Sequence, residues 1–408
     1  MRIRDLEITP IAFADPPLLN SWGVHEPLAL RCVLQLHTEE EGLVGLGECP
    51  GDRPALDRLR AVRSAIRGLS VYATSRIERA VQEALGEGIR PIDRRSTFSA
   101  IEVACLDVQG KLAGQPVSEL LGGAVRDAVP YSAYLFYKWA GHPGQQPDDW
   151  GAALDPAGIV EQARQLIDRY GFASIKLKGG VFPPDEEIAA IHALREAFPG
   201  HPLRIDPNTA WTVPTSASVA AALDGVLEYL EDPVAGVAEM AEVARGAGMP
   251  LATNMCVVSF DTIAPAVSAG AVQVVLSDHH YWGGLARTRQ LGAVCETLGL
   301  GLSMHSNSHL GISLAAMTHL AAATPNLTYA CDTHYPWNAA DDVVVPGVLR
   351  FENGSVPVPT GPGLGVTLDH DVLDRLHRQY ADSGRQVRDD TGYLRTVQPD
   401  FDPRLPRW

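Results

Sequence analysis

A series of short apolar runs returns along the middle of the chain, and each run ends on a polar residue. From Asp206 to His305 these polar ends follow one another at steps of 23 to 27 residues. One parallel strand, one covering helix and two short loops need about that length. The pattern therefore predicts strands that alternate with helices, each with a polar side chain at its carboxyl end.

The alternation extends over most of the chain beyond residue 125, and seven gaps between the apolar runs have a helical pattern. In the first gap, Ile159, Ala163 and Leu166 share one helix face. The eight strand candidates are 129–136, 174–180, 203–206, 227–232, 250–254, 271–278, 300–306 and 327–334. Eight parallel strands that alternate with helices close most naturally into a barrel.

The first 125 residues have a different pattern. Three alternating runs, with the turn T-E-E-E-G between the last two, predict an antiparallel sheet, and helical patterns follow it. We therefore predict an α+β domain over 1–125, a barrel domain over 126–340, and a segment over 341–408 that folds back on the first domain.

Composition and charge exclude several classes of protein. The chain has 408 residues and a formal net charge of −16 without a basic cluster, which argues against a nucleic-acid partner. It has no long uncharged apolar run and no signal peptide at its start, so we expect no membrane association. The six cysteines are scattered without a C-x-x-C pair, which favours a reducing cytoplasm. We expect the chain to assemble as a homo-oligomer.

Three of the polar strand ends offer oxygen ligands. Asp206, Glu231 and Asn254 end successive strands, so a parallel barrel would direct them to one place. Oxygen ligands without Cys or His favour Mg²⁺ over zinc. Each residue alone could instead cap the helix that follows it, but three in register favour a metal site.

Lysine is rare in this chain, and two of its four lysines stand in one strand. Lys176 and Lys178 are two residues apart and therefore face the same side. Unlike arginine, a crowded lysine can lose its proton. Two neighbouring ammonium groups disfavour each other's protonation, which predicts a lowered pKa for at least one of the two lysines and therefore a general base. The structural alternative is a buried lysine pair that bridges carboxylates.

Asp278 and His305 end the sixth and seventh predicted strands, which are neighbours. An aspartate beside a histidine fixes its tautomer and supports its protonated form, although a single histidine is more often structural than catalytic. A Mg²⁺ ion between an amine and an imidazole suits the removal of a proton next to a carboxylate.

The chain resembles the enolase superfamily and, within it, the glucarate dehydratase group. The resemblance covers about residues 5–395, and Asn254 as the third metal ligand is its discriminating feature. The matching strings are L-L-N-S-W-G-V-H, Y-L-F-Y, S-I-K-L-K-G-G-V, I-D-P-N-T-A-W, L-E-D-P, L-A-T-N-M, S-D-H-H-Y-W, M-H-S-N-S-H-L-G-I-S-L, D-T-H-Y and R-D-D. It implies an α/β fold, a modified (β/α)7β TIM-type barrel with an N-terminal α+β capping domain that the C-terminal segment completes.

The resemblance also implies roles for individual residues. Asp206, Glu231 and Asn254 would bind Mg²⁺, and Lys178 would be one base. Lys176 would tune Lys178 and touch the substrate carboxylate. His305, paired with Asp278, would be the opposite base and the acid that expels the β-hydroxyl. The residues expected to contact a diacid sugar are Asn20, His25, Ser99, Tyr134, Ser306, His334 and Arg388.

The substrate contacts have structural alternatives, and the chain departs from the family's strings in places. Tyr134 could belong to the core, Arg388 to a charged surface, and Asn20 and His25 to an ordinary loop. Trp22 replaces an expected small residue. Three further departures are Ser99 for Thr, Thr209 for Gly and Ser308 for Asn.

The expected activity is dehydration of D-glucarate or a related aldarate to a keto-deoxy acid. Because two opposed bases also permit reprotonation, a racemase or epimerase of a hydroxy acid is an alternative. A catalytically silent homologue that binds acid sugars is a further alternative.

Overall fold

An antiparallel sheet of three strands lies at the start of the chain in the computed structural model, which describes residues 1–408. The strand order is β1-β4-β5, and a two-stranded hairpin, β2–β3, is inserted after β1. The strands are β1 (Ile3–Ala14), β2 (Leu19–Asn20), β3 (Gly23–Val24), β4 (Leu28–Thr38) and β5 (Val44–Pro50). The predicted antiparallel sheet is confirmed.

Four helices follow this sheet along the chain: α1 (Arg53–Val62), α2 (Thr74–Leu85), α3 (Pro91–Ala113) and α4 (Val117–Leu120). The long helix α3 packs closely on β5, because Gly45 and Gly47 leave room for the helix backbone. A Cβ atom at either glycine would collide with a carbonyl oxygen of Ala104 or Ala100.

Seven parallel strands form the second sheet, in the order β13-β12-β11-β10-β9-β8-β7. The strands are β7 (Ala133–Phe136), β8 (Ile175–Lys178), β9 (Leu203–Asp206), β10 (Leu227–Glu231), β11 (Leu251–Thr253), β12 (Val274–Ser277) and β13 (Gly301–Met304). The helices after them are α5 (Pro156–Tyr170), α6 (Pro184–Ala197), α7 (Val213–Ala222), α8 (Val237–Ala244), α9 (Phe260–Ser268), α10 (His279–Trp282), α11 (Leu285–Leu298) and α12 (Gly311–Ala322).

The first and eighth strand predictions need correction. The range 129–136 is divided, since β6 (Ala128–Pro130) pairs outside the barrel and only β7 joins it. The range 327–334 forms no regular strand, because Thr328 N and Tyr329 N both donate to Leu302 O and the register is lost. This segment still closes the barrel, because it lies between β13 and β7 and bonds to both sides.

Two backbone hydrogen bonds make that closure. Ser132 N, directly before β7, donates to Cys331 O at 2.8 Å, and Asp332 N donates to Met304 O of β13 at 2.8 Å. Together with the strand–helix alternation they give the modified (β/α)7β barrel of TIM type that the resemblance implies.

The last segment returns to both earlier parts of the chain. It contains α13 (Tyr335–Asn338), a 3₁₀ turn (Ala339–Asp341), β14 (Ser355–Pro357), α14 (His370–Ser383) and α15 (Asp390–Arg395). Strand β14 pairs with β6. His377 Nδ1 of α14 donates to Pro10 O of β1 at 2.7 Å, and Arg407 N donates to Ala210 O in the barrel at 2.7 Å. The tail thus ties the cap to the barrel as well as folding back on the cap.

Apolar packing joins the cap to the barrel. One buried cluster contains Phe13 and Val33 of the cap sheet together with Leu177 and Ile205 of the barrel, while a second cluster fills the space between the cap sheet and its helices. All six cysteines are unpaired, and five are buried, whereas Cys256 is partly exposed. None of the helices has the length and apolar character needed to cross a membrane.

Candidate active site

The carboxyl ends of the barrel strands and the inner side of the cap enclose a cavity of about 580 Å³. Lys178, Asn254 and His305 reach it from the barrel. Asn20 and Trp22 reach it from the hairpin β2–β3, and Arg388 reaches it from the C-terminal segment. Polar residues from three distant parts of the chain therefore meet in one space.

Of the three predicted metal ligands at this rim, two are buried and Asn254 is partly exposed. Asp206 and Glu231 are fully buried, and neither Glu231 Oε1 nor Asn254 Oδ1 has a hydrogen-bond partner. Buried oxygens without partners are costly. Two carboxylates and an amide match the ligand set of a hard divalent cation, and the partnerless oxygens of Glu231 and Asn254 fit Mg²⁺.

Asp232 holds the backbone of the third ligand. Its Oδ2 accepts from Asn254 N at 2.8 Å, and its Oδ1 accepts from the Thr253 hydroxyl at 2.5 Å. Asp232 itself has a positive φ of 36°, and Thr209 on the preceding loop has 62°. The left-handed backbone at Thr209 explains why glycine is expected there, since a β-branched residue adopts it only under strain.

The two lysines form ion pairs instead of a strained pair of cations. Lys176 Nζ lies 2.6 Å from Glu231 Oε2 and 2.6 Å from Asp332 Oδ2. Lys178 Nζ lies 2.6 Å from Asp206 Oδ2. Burial disfavours the charge on Lys176, but Asp332 and Glu231 outweigh burial and raise its pKa well above the usual value. The pKa is therefore not lowered at Lys176, and the bridging alternative describes the contacts of this lysine.

The predicted pairing of Asp278 with His305 is not made. Asp278 Oδ1 instead accepts from His280 N at 2.9 Å and lies 2.8 Å from His280 Nδ1. Asp278 caps the short helix α10, and its second oxygen, Oδ2, accepts from Asn307 Nδ2 at 3.1 Å. The His305 ring lines the cavity, and its Nδ1 lies 3.5 Å from Asp332 Oδ2.

Asp332 is a functional candidate that was not predicted from the sequence. It is fully buried and contacts both Lys176 and His305 through one oxygen. Burial opposes its charge, but Lys176 and His305 together lower its pKa to about 2. The signal was present, because Asp332 begins the D-T-H-Y string at the end of the eighth predicted strand.

The structure brings five of the seven predicted substrate contacts to the cavity wall: Asn20, His25, Tyr134, His334 and Arg388. Ser306 lies behind the wall, where its hydroxyl is 3.2 Å from His334 Nδ1. Ser99 does not reach the cavity. It lies on the face of α3 that packs against α10, and its hydroxyl donates to His279 O at 2.9 Å.

Family models match most of the chain. Residues 158–372 match the model described as "Enolase C-terminal domain-like", and residues 23–122 match "Mandelate racemase / muconate lactonizing enzyme, N-terminal domain". A Streptomyces coelicolor protein named "Probable glucarate dehydratase" is 54% identical, over 100% of this chain and 99% of its own length. The chain belongs to the glucarate dehydratase group of the enolase superfamily.

Solved structures of other superfamily members are also similar. An enolase from Thermobispora bispora, solved with magnesium and formate, is 58% identical with a TM-score of 0.98 and covers 100% of both chains. An enolase from Mycobacterium smegmatis, solved with tartrate, is 63% identical with a TM-score of 0.97. That alignment covers 100% of this chain and 98% of the other. This enolase superfamily chain therefore shares its complete fold with both.

Proposed function

We propose that this enolase superfamily enzyme is a Mg²⁺-dependent dehydratase of acid sugars, with D-glucarate or a related aldarate as its substrate. The observation that carries the proposal is the cavity shared by Lys178 and His305, beside buried ligand oxygens of Glu231 and Asn254 that lack partners. The 54% identical "Probable glucarate dehydratase" supports the same reaction. The unpaired cysteines support a reducing cytoplasm as its compartment.

Asp206, Glu231 and Asn254 would hold the cation. Bound Mg²⁺ would supply electrostatic stabilisation of the negative charge that develops on the substrate carboxylate. Lys176 lies beside this group, at 2.6 Å from Glu231 and 3.7 Å from Asp206. Its ammonium group would therefore face the same carboxylate and orient it.

Lys178 and His305 would move the protons. Neutral Lys178 Nζ would take the proton from the carbon next to the carboxylate, and the electron pair of that C–H bond would move toward the carboxylate. The C–O bond of the β-hydroxyl would then break, with a proton from protonated His305, so that water leaves. Tautomerisation of the resulting enol gives the α-keto, β-deoxy acid.

The positions of these two groups also allow the alternative reaction. Lys178 ends β8 and His305 follows β13, so two other ring positions, β7 and the segment at 331, separate them. A proton taken on one side and returned on the other would invert the carbon. In D₂O, epimerisation leaves a deuterated product that keeps its hydroxyl, whereas dehydration gives a keto acid.

A panel of aldarates tests the proposal. Each diacid sugar is incubated with the enzyme and Mg²⁺, and the α-keto product is measured with a carbonyl reagent. We expect turnover of D-glucarate or a close stereoisomer, and loss of turnover after chelation of the metal. If no diacid sugar yields a keto acid, the dehydratase proposal fails.

A further inference from the structure

Two carboxylates, Asp15 behind the cavity wall and Asp390 within it, contact side chains that the resemblance assigns to substrate binding. Asp15 follows β1, and Asp390 begins α15. Arg388 bonds to both, through Nη1 to Asp15 at 3.3 Å and through Nε and Nη2 to Asp390 at 2.6 Å and 2.9 Å. The side chain of Asp15 is only 1% exposed, and that of Asp390 is 16% exposed.

The same carboxylates also bond to His25 and Asn20, two further residues of the cavity wall. Asp15 lies 3.1 Å from His25 Nδ1. Since a carboxylate only accepts, Nδ1 carries the hydrogen and Nε2 is left for the cavity. Asp390 accepts from Asn20 Nδ2 at 3.1 Å, while Asn20 Oδ1 accepts from Trp22 N at 2.8 Å. The amide of Asn20 is thus held at both ends.

Arg388 keeps donors for a ligand. A guanidinium group has five N–H donors in a planar fork, and Arg388 uses three of them on the two carboxylates. The remaining donors, one on each Nη atom, belong to a side chain that lines the cavity. Two N–H groups on one fork suit bidentate binding of a carboxylate.

We propose that Asp15 and Asp390 are positioning residues that hold Arg388, His25 and Asn20 as a preformed clamp for the second carboxylate of a diacid substrate. The clamp belongs to the cap and tail, while Lys178 and Asn254 belong to the barrel. A diacid would therefore place one carboxylate at each wall. This inference rests on the proposed function, because it assigns binding residues to the second carboxylate of the same substrate.

A purely electrostatic role for Asp15 and Asp390 and a positioning role predict opposite effects on the binding of a dianion when one aspartate is removed. Two carboxylates against one guanidinium group repel a dianion, so a purely electrostatic role means that removing one negative charge tightens binding. A positioning role means that removing it weakens binding, since Arg388 and His25 lose their fixed orientation. The sign of the effect therefore separates the two roles.

A matched pair of ligands tests the clamp. D-Glucarate and D-gluconate differ only in whether the second end is a carboxylate or a hydroxymethyl group. Their dissociation constants are measured by calorimetry with Mg²⁺ in the Lys178→Ala variant, which prevents turnover. We expect tighter binding of D-glucarate. Adding Asp15→Asn should reduce that preference by about ten-fold or more, and should leave D-gluconate binding unchanged.

Two further variants complete the design. Asp57→Asn removes an exposed carboxylate that pairs with Arg53 and Arg60, and it should leave the preference unaltered. Asp390→Asn repeats the test from the other side of Arg388 and replaces Asp15→Asn if that variant does not fold. An unchanged preference in the folded aspartate variants, tighter D-glucarate binding in them, or no preference in the parent would overturn the clamp.

The outcome is independent of the dehydration chemistry. If wild-type enzyme converts no aldarate but the preference for D-glucarate depends on Asp15, the clamp stands and the dehydratase proposal fails. If aldarates are converted and the aspartate variants keep the wild-type ratio of KM values for diacid and monoacid substrates, only the clamp fails.

Discussion

Asp332 and Lys176 form a fully buried ion pair in which Oδ2 lies 2.6 Å from Nζ. The same oxygen lies 3.5 Å from Nδ1 of His305. One carboxylate therefore links the lysine beside the proposed metal site to the imidazole proposed as the acid. Asp332 lies at this position because it belongs to the irregular segment that closes the barrel between β13 and β7.

Replacing Asp332 should impair turnover. In Asp332→Asn, Lys176 loses an attraction that raises its pKa, and His305 loses its carboxylate neighbour. We expect kcat to fall by at least about ten-fold, since general acid–base groups contribute about 10²–10⁴-fold. Steady-state kinetics on the active aldarate measure the effect. Asp374→Asn, on the exposed face of α14, is the control, and an equal loss there would refute a specific role.

Lys178 and His305 should be separable by isotope exchange. If Lys178 removes the α-proton, His305→Asn will still exchange that hydrogen with D₂O although it releases little keto acid. Lys178→Ala should lose both exchange and turnover, by about 10²–10⁴-fold. Proton NMR follows the exchange and a carbonyl reagent follows the product. Exchange that persists in Lys178→Ala and vanishes in His305→Asn would reverse the assigned roles.

Asn254 should contribute directly to metal affinity. Asn254→Leu keeps the approximate size but removes the oxygen that has no partner, so we expect Mg²⁺ affinity to fall by more than about ten-fold. Asn254→Asp restores an oxygen and should retain binding. Calorimetric titration with Mg²⁺ compares the three proteins. Equal affinities for wild type and the leucine variant would remove Asn254 from the ligand set.

Stability should fall as pH rises towards neutrality because of Glu102. This buried carboxyl on α3 accepts from Leu285 N and Ala286 N of α11. Burial raises its pKa to about 7, although these two hydrogen bonds work in the other direction. The folded state therefore binds a proton more tightly than the unfolded chain, so the free energy of unfolding decreases between about pH 4.5 and 7.

The variant Glu102→Gln should remove this contribution. Relative to wild type, its free energy of unfolding should increase from pH 5 to pH 8 by roughly 3 kcal/mol, at about 1.4 kcal/mol for each pKa unit. Urea unfolding of both proteins across that pH range measures this difference in the free energy of unfolding. Glu239→Gln, a comparable change near the start of α8, should show no such trend. A constant difference between Glu102→Gln and wild type would contradict the prediction.

Much of the barrel could be predicted from the sequence. Each strand between β8 and β13 lies within its predicted range, because burial on both faces makes parallel strands continuous apolar runs. The polar residues at or next to the ends of these runs, which were predicted to meet at one rim, are Asp206, Glu231, Asn254, Lys178 and His305. The range 327–334 failed because its apolar content does not reveal two backbone donors that converge on Leu302 O.

The partners of the side chains were decided only by the tertiary structure. Strand order places Asp278 near His305, but Asp278 caps α10 by accepting from His280 N, and Asp332 is the carboxylate that lies beside the His305 ring. Asp15 and Arg388 are 373 residues apart in the chain. Spacing along the sequence determines which residues end a strand, whereas contacts between distant segments depend on how the cap, barrel and tail pack together.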